Sequence, residues 1–268
     1  MLGEGAAAEH DIANRAKYLQ RMSASMIDKI YFLDKIEGDV LVDFGCADGY
    51  LLKTIGMLFP HYKMFGYDFD PAMVEAANAD NTFGIVFTSD WDDLVNNHVK
   101  PLQEQGRKVT LILNSVIHEV YSYCGKAQVE EFWARVWDSG FDYVVFRDMC
   151  VSHTSSRPAD PLSVARVRQV YDKALLRQWE GLWGNLNENW SLVHFLLTHQ
   201  YVDNWEREVR ENYLPVNYED MLSNIPNQYI PIFAEHYTLP YLRRQVFKTF
   251  GIQLQDRTHL KLIVERCT

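Results

Sequence analysis

Apolar positions recur along the chain with two different periods, and the switches between them outline its elements. From Ala13 to Ile36, Tyr18, Met22, Met26, Ile30 and Leu33 return at three- to four-residue steps, which predicts a helix leading into a sheet. Asp39 to Gly45 is then a compact apolar run suited to a buried parallel strand. A helix over Tyr50 to Phe59 follows, then strand text at Lys63 to Asp70, and a helix over Pro71 to Ala79 that opens on proline. Phe83 to Thr88, Val109 to Leu113 and Tyr143 to Phe146 supply three more strands. Strand and helix alternating over about 110 residues predict an α/β fold with a doubly wound, mostly parallel sheet.

The alternation stops after Asp148. Residues 150–217 read as helical and tryptophan-rich, with helices predicted at Pro161 to Trp179, Trp190 to His199 and Asn204 to Glu211. Strand text returns at Tyr229 to Tyr237 and His259 to Glu265, around a helix at Leu239 to Phe250. The predicted organisation is a helical lead-in (1–36), a core (37–149), a helical cap inserted before the last two strands (150–217), and a completion of the seven-stranded sheet (218–268). Most of the cap aromatics, Trp179, Trp183, Trp190, Tyr201, Trp205 and Tyr213, are expected to fill a small helical core. The charged stretch Asp203 to Glu211 reads as a solvated helix face with internal ion pairs.

Composition narrows the function classes. The 268 residues are 47% hydrophobic, enough for a sizeable core, and no run of about 18 apolar residues suggests a membrane span. The N-terminus has neither the basic nor the apolar region of a secretory signal, so a cytoplasmic protein is expected. A net charge of −10 opposes diffuse attraction to polyanions and puts a small-molecule substrate ahead of RNA. Arg166, Arg168, Lys173 and Arg177, with Arg243 and Arg244, are the basic clusters where phosphate contacts would be sought. The four cysteines form no CxxC pair and the histidines no HxH or HxxxH, so no metal is expected.

Candidate chemistry gathers at predicted strand ends. After the first strand stands Asp43-Phe-Gly45-Cys46-Ala47-Asp48-Gly49, where glycines allow a sharp turn and close approach of the backbone to a ligand. Asp43 and Asp48 would repel a pyrophosphate but suit a cationic ligand. After the second strand, in Asp68-Phe69-Asp70, a carboxylate can accept from both ribose hydroxyls. After the third, in Ser89-Asp90-Trp91, an acid can accept from an adenine amino group while an aromatic ring covers it.

With these motifs the sequence resembles the class I S-adenosylmethionine-dependent methyltransferase superfamily, over about Lys35 to Asp148 and the last strands. Asp43, Gly45, Ala47 and Gly49 match its glycine-rich first motif with alanine at the middle position; Asp68 matches its ribose-binding acid and Asp90 its adenine-proximal acid. The resemblance implies a Rossmann-like fold, S-adenosylmethionine as cofactor, and a site including Cys46, Phe69, Ser89, Trp91, Asn114 and Ser115. The segment after the fourth strand, Asn114 to Tyr123, usually faces the methyl group and acceptor in that superfamily. Within it His118 is either a general base or a satisfied residue opening a helix; Glu119 can orient it or act instead, and Tyr121 is a further catalytic candidate. Arg147 either clamps an acidic substrate group or, with Asp148, pairs with residues of the cap; His194, in an apolar helix, is a substrate candidate that competes with a core role. Three functions follow: a methyltransferase for a small molecule, one for RNA or a nucleotide-bearing substrate, or a non-catalytic module that binds S-adenosylmethionine.

Overall fold

The structure, a computed structural model, describes residues 25–267. Of the predicted lead-in helix, the part before residue 25 lies outside the described residues. Within them helix is confined to Met26–Lys29, and the chain continues in tighter turns, with Leu33 N donating to Ile30 O and Lys35 N to Phe32 O. These turns set Phe32 into the core and let Tyr31 Oη donate to the carbonyls of Phe146 (2.7 Å) and Leu262 (3.0 Å), which fastens the segment to two strands.

Seven strands follow: β1 Val40–Phe44, β2 Lys63–Tyr67, β3 Val86–Thr88, β4 Val109–Asn114, β5 Tyr143–Met149, β6 Tyr229–Tyr237 and β7 His259–Arg266. With helices of seven or more residues labelled, α1 is Tyr50–Leu58, α2 Pro71–Ala79, α3 Ile117–Tyr123, α4 Lys126–Asp138, α5 Pro161–Val170, α6 Lys173–Trp183, α7 Asn189–Thr198 and α8 Pro240–Phe250. The strands form one sheet in the order β3-β2-β1-β4-β5-β7-β6, and β1–β2, β2–β3, β1–β4 and β4–β5 pair in parallel. Burial on both faces explains why β1, β4 and β5 read as nearly unbroken apolar runs. The chain winds outward from β1 to β3 and then returns to β4 beside β1. That reversal opens a crevice at the carboxyl ends of β1 and β4, where open α/β sheets bind ligands.

The chain divides into two compact units. The first holds the described residues up to Asp148, Ile225–Ala234 and the chain from Lys261 onward; the second is Met149–Asn224 with Glu235–Leu260. The second unit therefore includes α8, which the sequence reading grouped with the sheet, because Leu242, Val246 and Phe250 join the same apolar cluster as Trp179, Phe195 and Val209. The helix predicted over Pro161 to Trp179 is two helices. Val170 ends α5, and Asp172 caps α6 by accepting from the backbone N–H groups of Ala174 and Leu175.

The stretch Asp203 to Glu211 has the expected internal ion pair but is solvated only in part, at Asp203, Glu206 and Arg210. Arg207, Glu208 and Glu211 are buried, Arg207 Nη2 lies 2.8 Å from Glu211 Oε1, and the hydroxyl of Tyr213 donates to Glu208. A helix only four residues long, Trp205–Glu208, turns this charged run inward.

Candidate active site

The loop from β1 to α1 carries the first motif and is shaped by backbone rather than side chains. Gly45 and Gly49 have φ of +75° and +74°, and Ala47 shares that left-handed region at +48°. A non-glycine residue there carries strain, offset here by a hydrogen bond from Ala47 N to Asp68 Oδ2 at 2.8 Å. Asp68 Oδ1 accepts from Asp70 N at 3.0 Å, so this one carboxylate ties the ends of β1 and β2 together. At Gly49 a Cβ would stand 2.5 Å from Phe87 Cζ. Its lack of a side chain makes room for the Phe87 ring.

Beside this loop a small pocket is lined by Lys29, Asp43, Gly45, Cys46, Ala47, Asp48 and Asn114 among others. Asp43 is 3% exposed and Lys29 6% exposed, and neither side chain has a hydrogen bond or ion pair among the described residues. Asn114 donates its Nδ2 to the Lys29 carbonyl at 3.1 Å, while its buried Oδ1 receives no hydrogen bond among the described residues. Burial pushes the Asp43 carboxyl up to about 7; Lys29 opposes the rise and Asp68 adds to it. Burial raises Asp68 to about 6 against the two backbone N–H groups that hold its charged form. Burial and then the charge of Arg147 lower the Lys29 ammonium to about 8, opposed by Asp43, Asp148 and Glu119. Burial also pushes the Cys46 thiol well above its ordinary value, which leaves it an inert wall of the pocket.

Next to the crevice, where α3 begins, His118 Nδ1 lies 2.8 Å from Asp148 Oδ1, both side chains being nearly buried. From sequence Glu119 can orient His118 or act instead; the contact at His118 Nδ1 is with Asp148. Glu119 is half-buried and acts on the site through its charge, which raises both Lys29 and Asp68. Tyr121 Oη accepts from Trp133 Nε1 at 3.0 Å, an aromatic contact that holds α3 on α4. Arg147 Nε donates to Asp28 Oδ2 at 2.9 Å and its Nη1 to Ser115 Oγ at 2.8 Å. Ser115, at φ +60°, is further held by its N–H on the Arg147 carbonyl.

Asp90 is exposed, and its Oδ1 accepts from Asp93 N as a helix cap; Ser89 beside it is exposed and Phe69 half-buried. Trp91 is buried, with its ring in T-shaped contact with Phe44 (5.2 Å) and Tyr67 (5.3 Å). His194 is fully buried in the core of the second unit, its Nε2 3.1 Å from the Glu211 carbonyl and its ring against Trp179, Trp183 and Trp190. Burial lowers it to about 3, which keeps it neutral. Among the basic clusters, Arg168 pairs with Glu180 at 2.6 Å and Arg166 donates to the Gly251 carbonyl. Sequence reasoning missed Lys29, whose spacing marked only a helix face.

No protein-family model and no curated protein matches the chain. Among solved structures, the plantazolicin methyltransferase BpumL, in complex with a triazolic desmethylPZN analogue and SAH, is similar at a TM-score of 0.50 and 12% identity, over 100% of this chain and 97% of that one. A SAM-dependent methyltransferase from Anabaena variabilis is similar at a TM-score of 0.50 and 12% identity, over 92% of this chain and 85% of the other. At such identities the likeness establishes the fold, which is that of the class I methyltransferases. No helix among the described residues is long and apolar enough to cross a membrane.

Proposed function

We propose that the chain is an S-adenosylmethionine-dependent methyltransferase acting on a small molecule whose acceptor atom carries a proton. The observation that carries this reading is the pocket at the β1 carboxyl end, where a buried acid, a buried cation and an unpaired amide oxygen stand together. Asp43 and Asn114 Oδ1 suit an ammonium group. Asp68 already accepts one hydrogen bond on each oxygen and retains lone pairs for ribose hydroxyls. Asp90, exposed beyond β3, has acceptor capacity left for an adenine amino group. Bound there, S-adenosylmethionine supplies an electrophilic methyl group on a sulfonium.

The chain's own residues then align the acceptor and take its proton. A carboxylate only accepts, so Asp148 fixes the proton of His118 on Nδ1 and makes Nε2 the basic nitrogen. In-line methyl transfer owes most of its acceleration to alignment, and a base of this kind serves a hydroxyl or a protonated nitrogen. A small-molecule acceptor is favoured over RNA by the net charge of −10 and by the engagement of Arg166 and Arg168 within the fold.

Calorimetric titration with S-adenosylhomocysteine tests the reading. Micromolar binding by the wild-type protein, lost in Asp68→Ala, is the expected result. A folded wild-type protein that binds none overturns it.

A further inference from the structure

Lys29 is a buried charge whose side chain has no hydrogen bond or ion pair among the described residues. Burying an ammonium without a partner is costly, and a fold keeps one only where something compensates it. Here the backbone around it is fastened from three directions. Asn114 Nδ2 holds its carbonyl, Asp28 on one side bridges Arg147 (2.9 Å) and Lys261 (2.6 Å), and the Tyr31 hydroxyl is tied to β5 and β7. The lysine is thus delivered to the pocket wall by a rigid segment rather than left there by a mobile side chain. Asp43 lines the same pocket, yet the two charges form no ion pair with each other. Opposite charges that share a pocket without touching are complementary to a ligand that carries both signs a few atoms apart.

We infer that Lys29 is the carboxylate anchor of this site, and that it makes the pocket selective for an α-amino-acid group, with the ligand's ammonium on Asp43 and Asn114 Oδ1. The inference rests on the cofactor reading above and deepens it: the amino-acid end of the cofactor, and not the nucleoside alone, is what the pocket recognises. A nucleoside thioether without that end leaves both buried charges uncompensated and binds weakly.

Two sources can offer the group, a sulfonium or thioether nucleoside and a free amino acid, so the test uses three probes. S-adenosylhomocysteine, 5′-methylthioadenosine and L-methionine are titrated calorimetrically into the full-length wild-type protein, Lys29→Met and Lys29→Arg, with thermal melts confirming that each variant is folded. The expected result is tight binding of S-adenosylhomocysteine alone, weakened roughly 10- to 100-fold in Lys29→Met, as for loss of a charge-assisted hydrogen bond, and partly restored in Lys29→Arg. Binding of 5′-methylthioadenosine should be the same in all three proteins. If the wild-type protein binds 5′-methylthioadenosine as tightly as S-adenosylhomocysteine, the anchor is overturned and the nucleoside site stands; that comparison needs no variant. Equal losses for both ligands in Lys29→Met also overturn the anchor. L-Methionine binding as tightly as the nucleoside, and lost in Lys29→Met, keeps the anchor and overturns the methyltransferase reading. A wild-type protein that binds none of the three overturns both.

Discussion

Asp148 uses its two oxygens for different tasks: Oδ1 meets His118 Nδ1 at 2.8 Å, and Oδ2 accepts from the backbone N–H groups of Ile117 (2.8 Å) and His118 (3.2 Å). One carboxylate therefore fixes both where α3 starts and which way the imidazole of its second residue faces.

Asp148→Asn should separate those tasks from cofactor binding. An amide in its place offers one acceptor oxygen where two are used, so the imidazole loses its fixed tautomer. Methyl transfer to a protic acceptor should slow by roughly 10²- to 10⁴-fold, the range for loss of a positioned base. The pH–rate profile should lose its low-pH limb while affinity for S-adenosylhomocysteine stays unchanged. An unaltered rate would show that the Asp148 contact is only a helix cap.

Gly49→Ala should unfold the protein more easily without touching the pocket lining. The residue sits at φ +74°, and the added Cβ would meet the Phe87 ring at 2.5 Å. Left-handed strain and overpacking together amount to roughly 2–5 kcal/mol in chemical denaturation. Adding Phe87→Leu should recover the steric part and leave the strain. A loss that Phe87→Leu does not relieve would point to a different role for the glycine.

The sheet was legible because its central strands are buried on both faces and so read as apolar runs, as in Val40 to Phe44 and Val109 to Asn114. The acids at strand ends were legible through their place after those runs. The partner of His118 was not, since Asp148 lies 30 residues away and arrives only through the pairing of β4 with β5 that sets Asn114 beside Arg147. Lys29 was hidden for a similar reason: in sequence it is one polar position of a helix-like stretch, and only the ties of Tyr31 and Asp28 to distant strands bring it to the pocket.

Binding should be linked to protons with a sign that changes over the neutral range. Asp43 rests near 7, so an arriving ammonium expels its proton when the pH lies below that value. Lys29 rests near 8, so an arriving carboxylate draws a proton onto it when the pH lies above. Titrations of S-adenosylhomocysteine in buffers of different ionisation enthalpy should report release of up to about one proton at pH 6 and uptake at pH 9. Release at both, or neither, would mean that the two groups do not face the ligand's charges.

The same two residues should govern how stability varies with pH in the ligand-free protein. Asp43 is raised in the fold from its ordinary 3.8, so its favourable contribution is complete below that value and is lost as the pH rises through about 7. Lys29 is lowered from its ordinary 10.5, so its favourable contribution is complete above that value and is lost as the pH falls through about 8. Between 7 and 8 both charges are held at a cost. Asp43→Asn should therefore raise the melting temperature at pH 8 and leave it unchanged near pH 4, and Lys29→Met should raise it at pH 7 with a gain that fades toward pH 10.5. Each gain should be about 1–2 kcal/mol, read as a few degrees in a chain of this size. Because each charge attracts the other across the pocket, removing one leaves its partner worse off, and the double variant should gain more than the sum of the singles. A double variant that only adds the two gains would place the charges too far apart to hold the two ends of one amino-acid group.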